Sequence, residues 1–120
     1  MNPKFWFPVF GYSAIIFYLS SIPAGAPILS LPIWDKLEHT LEYLPLGFLV
    51  SRALAHSKPW HKWGIWVFAA LGGFAYGLSD EFHQSFVPGR ESSIWDAGAD
   101  FFGSAIGAGT YLFAIAKGRK

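Results

Sequence analysis

Three stretches of this chain run free of charged side chains for close to the length of helix that a bilayer demands: Phe5 to Ile22, Trp63 to Ser79 and Phe101 to Ala116. A span takes about 17 to 25 residues, and the third stretch reaches that size if its helix starts near Ile94. A fourth segment, Leu37 to Ala55, is interrupted by Glu38, His39, Glu42 and Arg52. These groups sit near its ends, where side chains reach headgroups or water. The composition agrees, because 52% of residues are hydrophobic and only 14% are charged, against roughly a quarter charged in soluble domains. The expected fold is all-α: an integral membrane bundle of four transmembrane helices at about 5–22, 35–56, 62–84 and 93–116. It forms a single domain over residues 1–120, with both termini cytoplasmic.

The start of the chain also resembles a secretory signal, with Lys4, an apolar run and "PAGA" at residues 23 to 26. The run is longer than the about 7 to 15 residues usual for such a core, and Pro27 follows the small residues. An uncleaved first helix is therefore expected.

Charge placement gives the sidedness. If four helices alternate, Lys4, Arg52, Lys58, Lys62, Lys117, Arg119 and Lys120 share one face, with Lys36 and Arg90 opposite. The positive-inside rule makes the first face cytoplasmic. All 8 acids fall at or near the other face, as do His39 and His83. A net charge of +1 gives no basic stripe for a nucleic-acid partner. With 0 cysteines, disulfides and zinc-thiolate sites are excluded.

Glu91 reads as a solvated loop acid, whereas Glu38, Glu42, Asp96 and Asp100 fall inside expected helices. A carboxylate in hydrocarbon costs about 2.5–3.5 kcal/mol on insertion scales, so such groups face a bundle interior or a wet cavity and point to a shared polar site. Gly73 and Gly77 on helix three, and Ala99, Gly103 and Gly107 on helix four, form small-residue stripes that let backbones approach. The stripe on helix four could also support a homodimer. Asp96 and Asp100 lie one turn apart beside it.

On helix two, Asp35 suits the N-cap. Asp35, His39 and either Glu42 or Tyr43 line one face. That spacing fits an ion pair, a metal pair or an acid/base pair, and Pro45 should kink the helix beyond it. On helix three Asp80 and Gln84 are one turn apart, Glu81 points about 100° away and His83 about 300° away, so a regular helix cannot converge all four. Pro88 and Gly89 set a turn that positions Arg90. Ser92 or Ser93 can cap helix four, and Trp95 can anchor it at an interface.

The pattern "DKLEH…EY" followed by "DEFHQSFVPGR..S..D...D..G...G" resembles the VanZ-like family of small bacterial membrane proteins, and the resemblance runs from Asp35 to Gly107. Glu81, Gln84, Pro88, Arg90, Ser93, Asp96, Gly103 and Gly107 stand at the family's spacings. Position 100 is commonly asparagine in the family and is Asp100 here, which adds a negative charge. The resemblance implies a multi-pass protein of the bacterial inner or plasma membrane. Its founding member is associated with resistance to teicoplanin, a glycopeptide antibiotic.

Two functions are expected from different classes. In the first, Asp35, His39, Tyr43, Glu81, Gln84, Arg90, Asp96 and Asp100 form a ligand-binding site at the extracytoplasmic face. It would take a glycopeptide or a lipid-linked envelope precursor, with Arg90 suited to a carboxylate or phosphate. In the second, the site is a phosphatase or transferase acting on such a precursor. Glu81, Asp96 and Asp100 would then be candidate ligands for Mg or Mn, and His39 or Glu81 the general base. The chain has no HExxH or DxD motif to strengthen that reading. A plain polar lock between helices would also place these groups together.

Overall fold

The computed structural model of the chain describes residues 2–23, 32–90 and 92–118, with the side chains of 32–35 excepted. It contains four helices, α1 (Pro3–Ser21), α2 (Pro32–Ala55), α3 (Lys62–Gln84) and α4 (Ile94–Gly118), and no strand among the described residues.

Local chemistry sets most of the helix boundaries. Asn2 caps α1, its Oδ1 accepting from Lys4 N at 3.3 Å, and Pro3 stands in the first turn, where a missing N–H leaves no bond unmade. His61 caps α3 through Nδ1 and Trp63 N at 3.3 Å. Ser93 caps α4, accepting from Trp95 N at 3.2 Å. The start of α2 corrects an expectation. The helix opens at Pro32 rather than at Asp35, because proline is preorganised for a first helical turn, so Asp35 lies inside that turn and is not its cap. The α2 helix also continues through Pro45 to Ala55.

Between α3 and α4, Val87, Pro88, Gly89 and Arg90 make a turn closed by Arg90 N to Val87 O at 3.2 Å. Gly89 has φ of 78°, the left-handed position that such a turn requires after proline. The turn aims Arg90 at the end of α1, where Nε donates to Ile22 O and a terminal nitrogen donates to Leu19 O, both at 2.9 Å. The last carbonyls of a helix have no partner within it, and a cation there also suits the helix dipole.

The most extensive packing is between α2 and α4, followed by α3 against α4. Glycine makes both contacts possible. A Cβ on Gly103 or Gly107 would run into the carbonyls of Thr40 or Leu44 on α2, and one on Gly47 would strike the backbone of Ser104 on α4. On α3, Gly73 receives the Ser104 side chain and Gly77 receives Asp100. Gly103 and Gly107 are thus covered by α2 of the same chain. α1 has no such glycine contact: Val9 and Ile16 pack against Tyr43, Leu46 and Ala53 of α2, and side-chain hydrogen bonds add to this. Tyr12 donates to Glu42 O at 2.5 Å, Tyr76 to Ser13 O at 2.6 Å and Trp6 Nε1 to Ser57 Oγ at 3.1 Å.

Asp80, Glu81, Asp96 and Asp100 point inward and many large apolar groups outward, while Glu38, expected to face the shared polar site, is exposed because its position on α2 turns it away from α4. Phe7, Phe68, Phe82, Phe102 and Phe113 are all more than half exposed, while Asp96 and Asp100 are 2% and 0% exposed. Among the described residues α4 is the one helix long and apolar enough by itself to cross a membrane. The four spans expected from the sequence thus reduce, by this measure, to one. Charges interrupt α2, and glycine, serine, tyrosine and tryptophan dilute the aliphatic content of α1 and α3.

Gly103→Ala or Gly107→Ala should force α2 and α4 apart and lower stability by about 1–3 kcal/mol, the usual cost of overpacking. Gly72→Ala, where nothing lies within 4 Å of the added methyl, should be close to neutral. Equilibrium unfolding of the three variants in detergent checks both expectations.

Candidate functional site

At the end of the bundle where α2 and α4 begin and α3 finishes, the close helix contacts bring ionisable side chains together. His39 comes from the second turn of α2. Its Nδ1 lies 2.8 Å from Asp100 Oδ1 and 3.9 Å from Glu81 Oε1, and its Nε2 lies 3.7 Å from Asp96 Oδ2. Asp96 and Asp100 project from the first two turns of α4. Lys36, one turn before His39, donates to Asp96 Oδ1. Asp80 joins through Tyr43, whose hydroxyl donates to Asp80 Oδ2 at 3.3 Å.

All four of Asp80, Glu81, Asp96 and Asp100 are buried, as is His39. Buried carboxylates are tolerated only when compensated by positive charge, protons or hydrogen bonds. Some of that compensation is visible. Glu81 Oε2 accepts from Ser93 N at 2.9 Å, which ties the end of α3 to the start of α4, and Ser92 Oγ donates to Glu81 O at 2.7 Å. Asp96 sits in the first turn of α4, where the helix dipole favours a negative charge. Two buried carboxylate oxygens, Glu81 Oε1 and Asp100 Oδ2, have no hydrogen-bond partner. Space for Asp100 exists because Gly77 has no side chain: a Cβ there would lie 2.6 Å from Asp100 Oδ2.

Two groups of side chains offer ligand atoms within 4.8 Å of one another, His39 with Glu81 and Asp96, and Asp80 with Glu81 and Asp100. Oxygen donors with a single imidazole suit hard divalent ions such as Mg or Mn better than soft ones.

The residues singled out from sequence fall into three sets. His39, Glu81, Asp96 and Asp100 meet in this centre. Tyr43 is fully buried beneath it, and Gln84 is buried at the end of α3. Arg90 makes no ion pair with the acids among the described residues, and its guanidinium is directed at α1. The Asp35 side chain lies outside the described residues. His83 stacks on Phe17 at 4.4 Å and lies 3.4 Å from Ser21 Oγ, consistent with a position away from the centre. Sequence reasoning left out Asp80 and Lys36. Asp80 and Glu81 differ by about 100° around α3, yet a site wedged between two neighbouring helices accepts side chains from both directions. Lys36 carried a signal, being one of two basic residues on the acidic side.

A model of the VanZ/LLP1 family matches residues 4–115, nearly the whole chain. The chain belongs to the VanZ/LLP1 family. The match extends across all four helices and includes every residue of the buried centre. No curated protein and no solved structure matches this VanZ/LLP1 chain.

A double-mutant cycle of His39→Leu and Asp100→Asn, read by unfolding in detergent, should return a coupling of about 1–3 kcal/mol, as for contacting polar pairs. Arg90→Gln should cost about 1 kcal/mol, given its half-exposed position. Its effect should add to that of Asp100→Asn, because the two groups hold different parts of the bundle.

Proposed function

We propose that this VanZ/LLP1 family member is a multi-pass protein of the bacterial cell membrane, with four spans, whose buried acidic centre opens at the extracytoplasmic face. There it binds a cationic group of a cell-envelope ligand, either a lipid-linked wall precursor or a glycopeptide. Through that binding it contributes to teicoplanin-type resistance or to envelope homeostasis. The observation that carries the binding reading is the excess of buried carboxylates around His39, with Glu81 Oε1 and Asp100 Oδ2 lacking hydrogen bonds. Sites of that kind favour positive charge, because a carboxylate that has lost its water gains most from a cation at contact. Because Arg90 has two of its donors on α1, recognition of an anion is not the centre's main chemistry.

The membrane reading is supported by aromatic side chains turned outward on α1, α3 and α4 and acids turned inward, the reverse of the arrangement that water selects. It is also supported by the sorting of charge along the bundle. Lys4, Arg52, Lys58, Lys62 and Lys117 lie toward the end opposite the acidic centre, as the positive-inside rule expects of a cytoplasmic face.

A second reading is favoured by the imidazole lying within 4 Å of three carboxylates. It makes the centre a divalent-metal-dependent phosphatase or transferase on a lipid-linked precursor, with His39 or Glu81 as general base. Phosphate release from an undecaprenyl-type phosphate lipid, measured with and without Mg or Mn and against Asp96→Ala, separates it from pure binding.

Cells carrying Asp96→Asn or Asp100→Asn should fall to the teicoplanin susceptibility of cells without the protein, while equal amounts of each variant reach the membrane fraction. Inhibitory concentrations unchanged from those of the unmutated chain would rule out a resistance role for this centre.

A further inference from the structure

We infer that the centre is built for two divalent cations, with Glu81 as the carboxylate shared between them. The inference rests on the reading of this centre as a cation site and specifies what the cation is. His39, Glu81 and Asp96 form one ligand group, and Asp80, Glu81 and Asp100 the other. Glu81 is the residue common to both. A carboxylate has two oxygens and can bridge ions about 3.5–4 Å apart, the spacing found in two-metal sites.

Charge leaves room for two ions. Asp80, Glu81, Asp96 and Asp100 supply four negative charges in a buried volume, which two divalent ions with a neutral imidazole would balance. With one divalent ion, the two remaining negative charges would have to be offset by Lys36 and a protonated His39. Among the described residues the side-chain ion pairs reaching this centre come from Lys36 and His39. Those two groups can neutralise at most half of the acids.

Geometry supports the placement independently. Glu81 Oε1 and Asp100 Oδ2 are buried and lack hydrogen-bond partners, and side-chain exposure is 6% for Glu81 and 0% for Asp100. An acid used only to lock helices together would have both oxygens hydrogen-bonded, whereas Asp100 Oδ2 has no such bond and Glu81 Oε1 has only the longer contact to His39 Nδ1 at 3.9 Å. Gly77 has no side chain, and the Asp100 carboxylate occupies the space that a Cβ there would take. Ser93 N holds the other Glu81 oxygen at 2.9 Å, which fixes the rotamer that turns Oε1 toward His39. Lys36 contacts Asp96 with its side chain 39% exposed, whereas Asp96 is 3% exposed.

The test uses the full chain in detergent micelles, stripped with chelator and titrated with Mn²⁺, with bound metal counted by equilibrium dialysis and read by electron paramagnetic resonance. Two Mn²⁺ per chain with an exchange-coupled spectrum are expected. Glu81→Gln should abolish the coupling, and Asp80→Asn and Asp96→Asn should each leave one isolated ion; these last two serve if Glu81→Gln fails to fold. A single uncoupled ion in the unmutated chain, or coupling that survives Glu81→Gln, overturns the shared-ligand centre. If no Mn²⁺ or Mg²⁺ binds but methylammonium raises the thermal midpoint, the metal inference falls and the cation site stands. If neither ion nor ammonium binds, both fall and the acids are a helix lock.

Discussion

The contact between α2 and α4 is the constraint on which the rest of the molecule depends. Gly47, Gly103 and Gly107 remove the side chains that would hold these helices at an ordinary separation, and carbonyls of α2 lie where Cβ atoms would otherwise be. Dispersion between backbones is strong at this range. The same contact sets the chemistry. Because α2 and α4 start at the same end and lie nearly backbone to backbone, His39 from one reaches Asp96 and Asp100 from the other. A wider spacing would leave these groups separated by a layer of side chains.

The centre then depends on α3 in a different way. Gly73 and Gly77 receive Ser104 and Asp100, so α4 is gripped on two faces by glycine-lined surfaces, one for backbone and one for polar side chains. Tyr43 lies under the site with no solvent exposure, donating to Asp80 while Ser104 Oγ donates to the Tyr43 carbonyl at 3.4 Å. The polar groups are thus continuous with the packing core, and a change in one displaces the other.

Much of this was legible in the sequence, for stated physical reasons. The helices follow from long uncharged runs and the breaks between them, and the central acids from the position of Asp96 and Asp100 beside a small-residue stripe. His83 could be set aside because it is not among the residues that carry the family resemblance. Other features depend on information that spacing does not hold. Arg90 has the composition of an anion clamp, but its partners are carbonyls of Leu19 and Ile22, about 70 residues earlier in the chain, and backbone acceptors leave no trace in side-chain identity. The start of α2 was misjudged because Asp35 is a good cap and Pro32 a good first residue, and local propensity does not rank the two. Gly47 gave no periodic signal, since its counterpart Ser104 lies on another helix.

The way α1 is attached has a consequence for how the chain comes together. Its anchors are hydroxyl, indole and guanidinium groups contributed by Ser57, Tyr76 and Arg90 together with its own Trp6 and Tyr12, not a glycine-lined seam. Every partner is made after α1 itself, and the fastening at its far end waits for Arg90. α1 therefore cannot be fully secured until α2, α3 and the turn after α3 have been made.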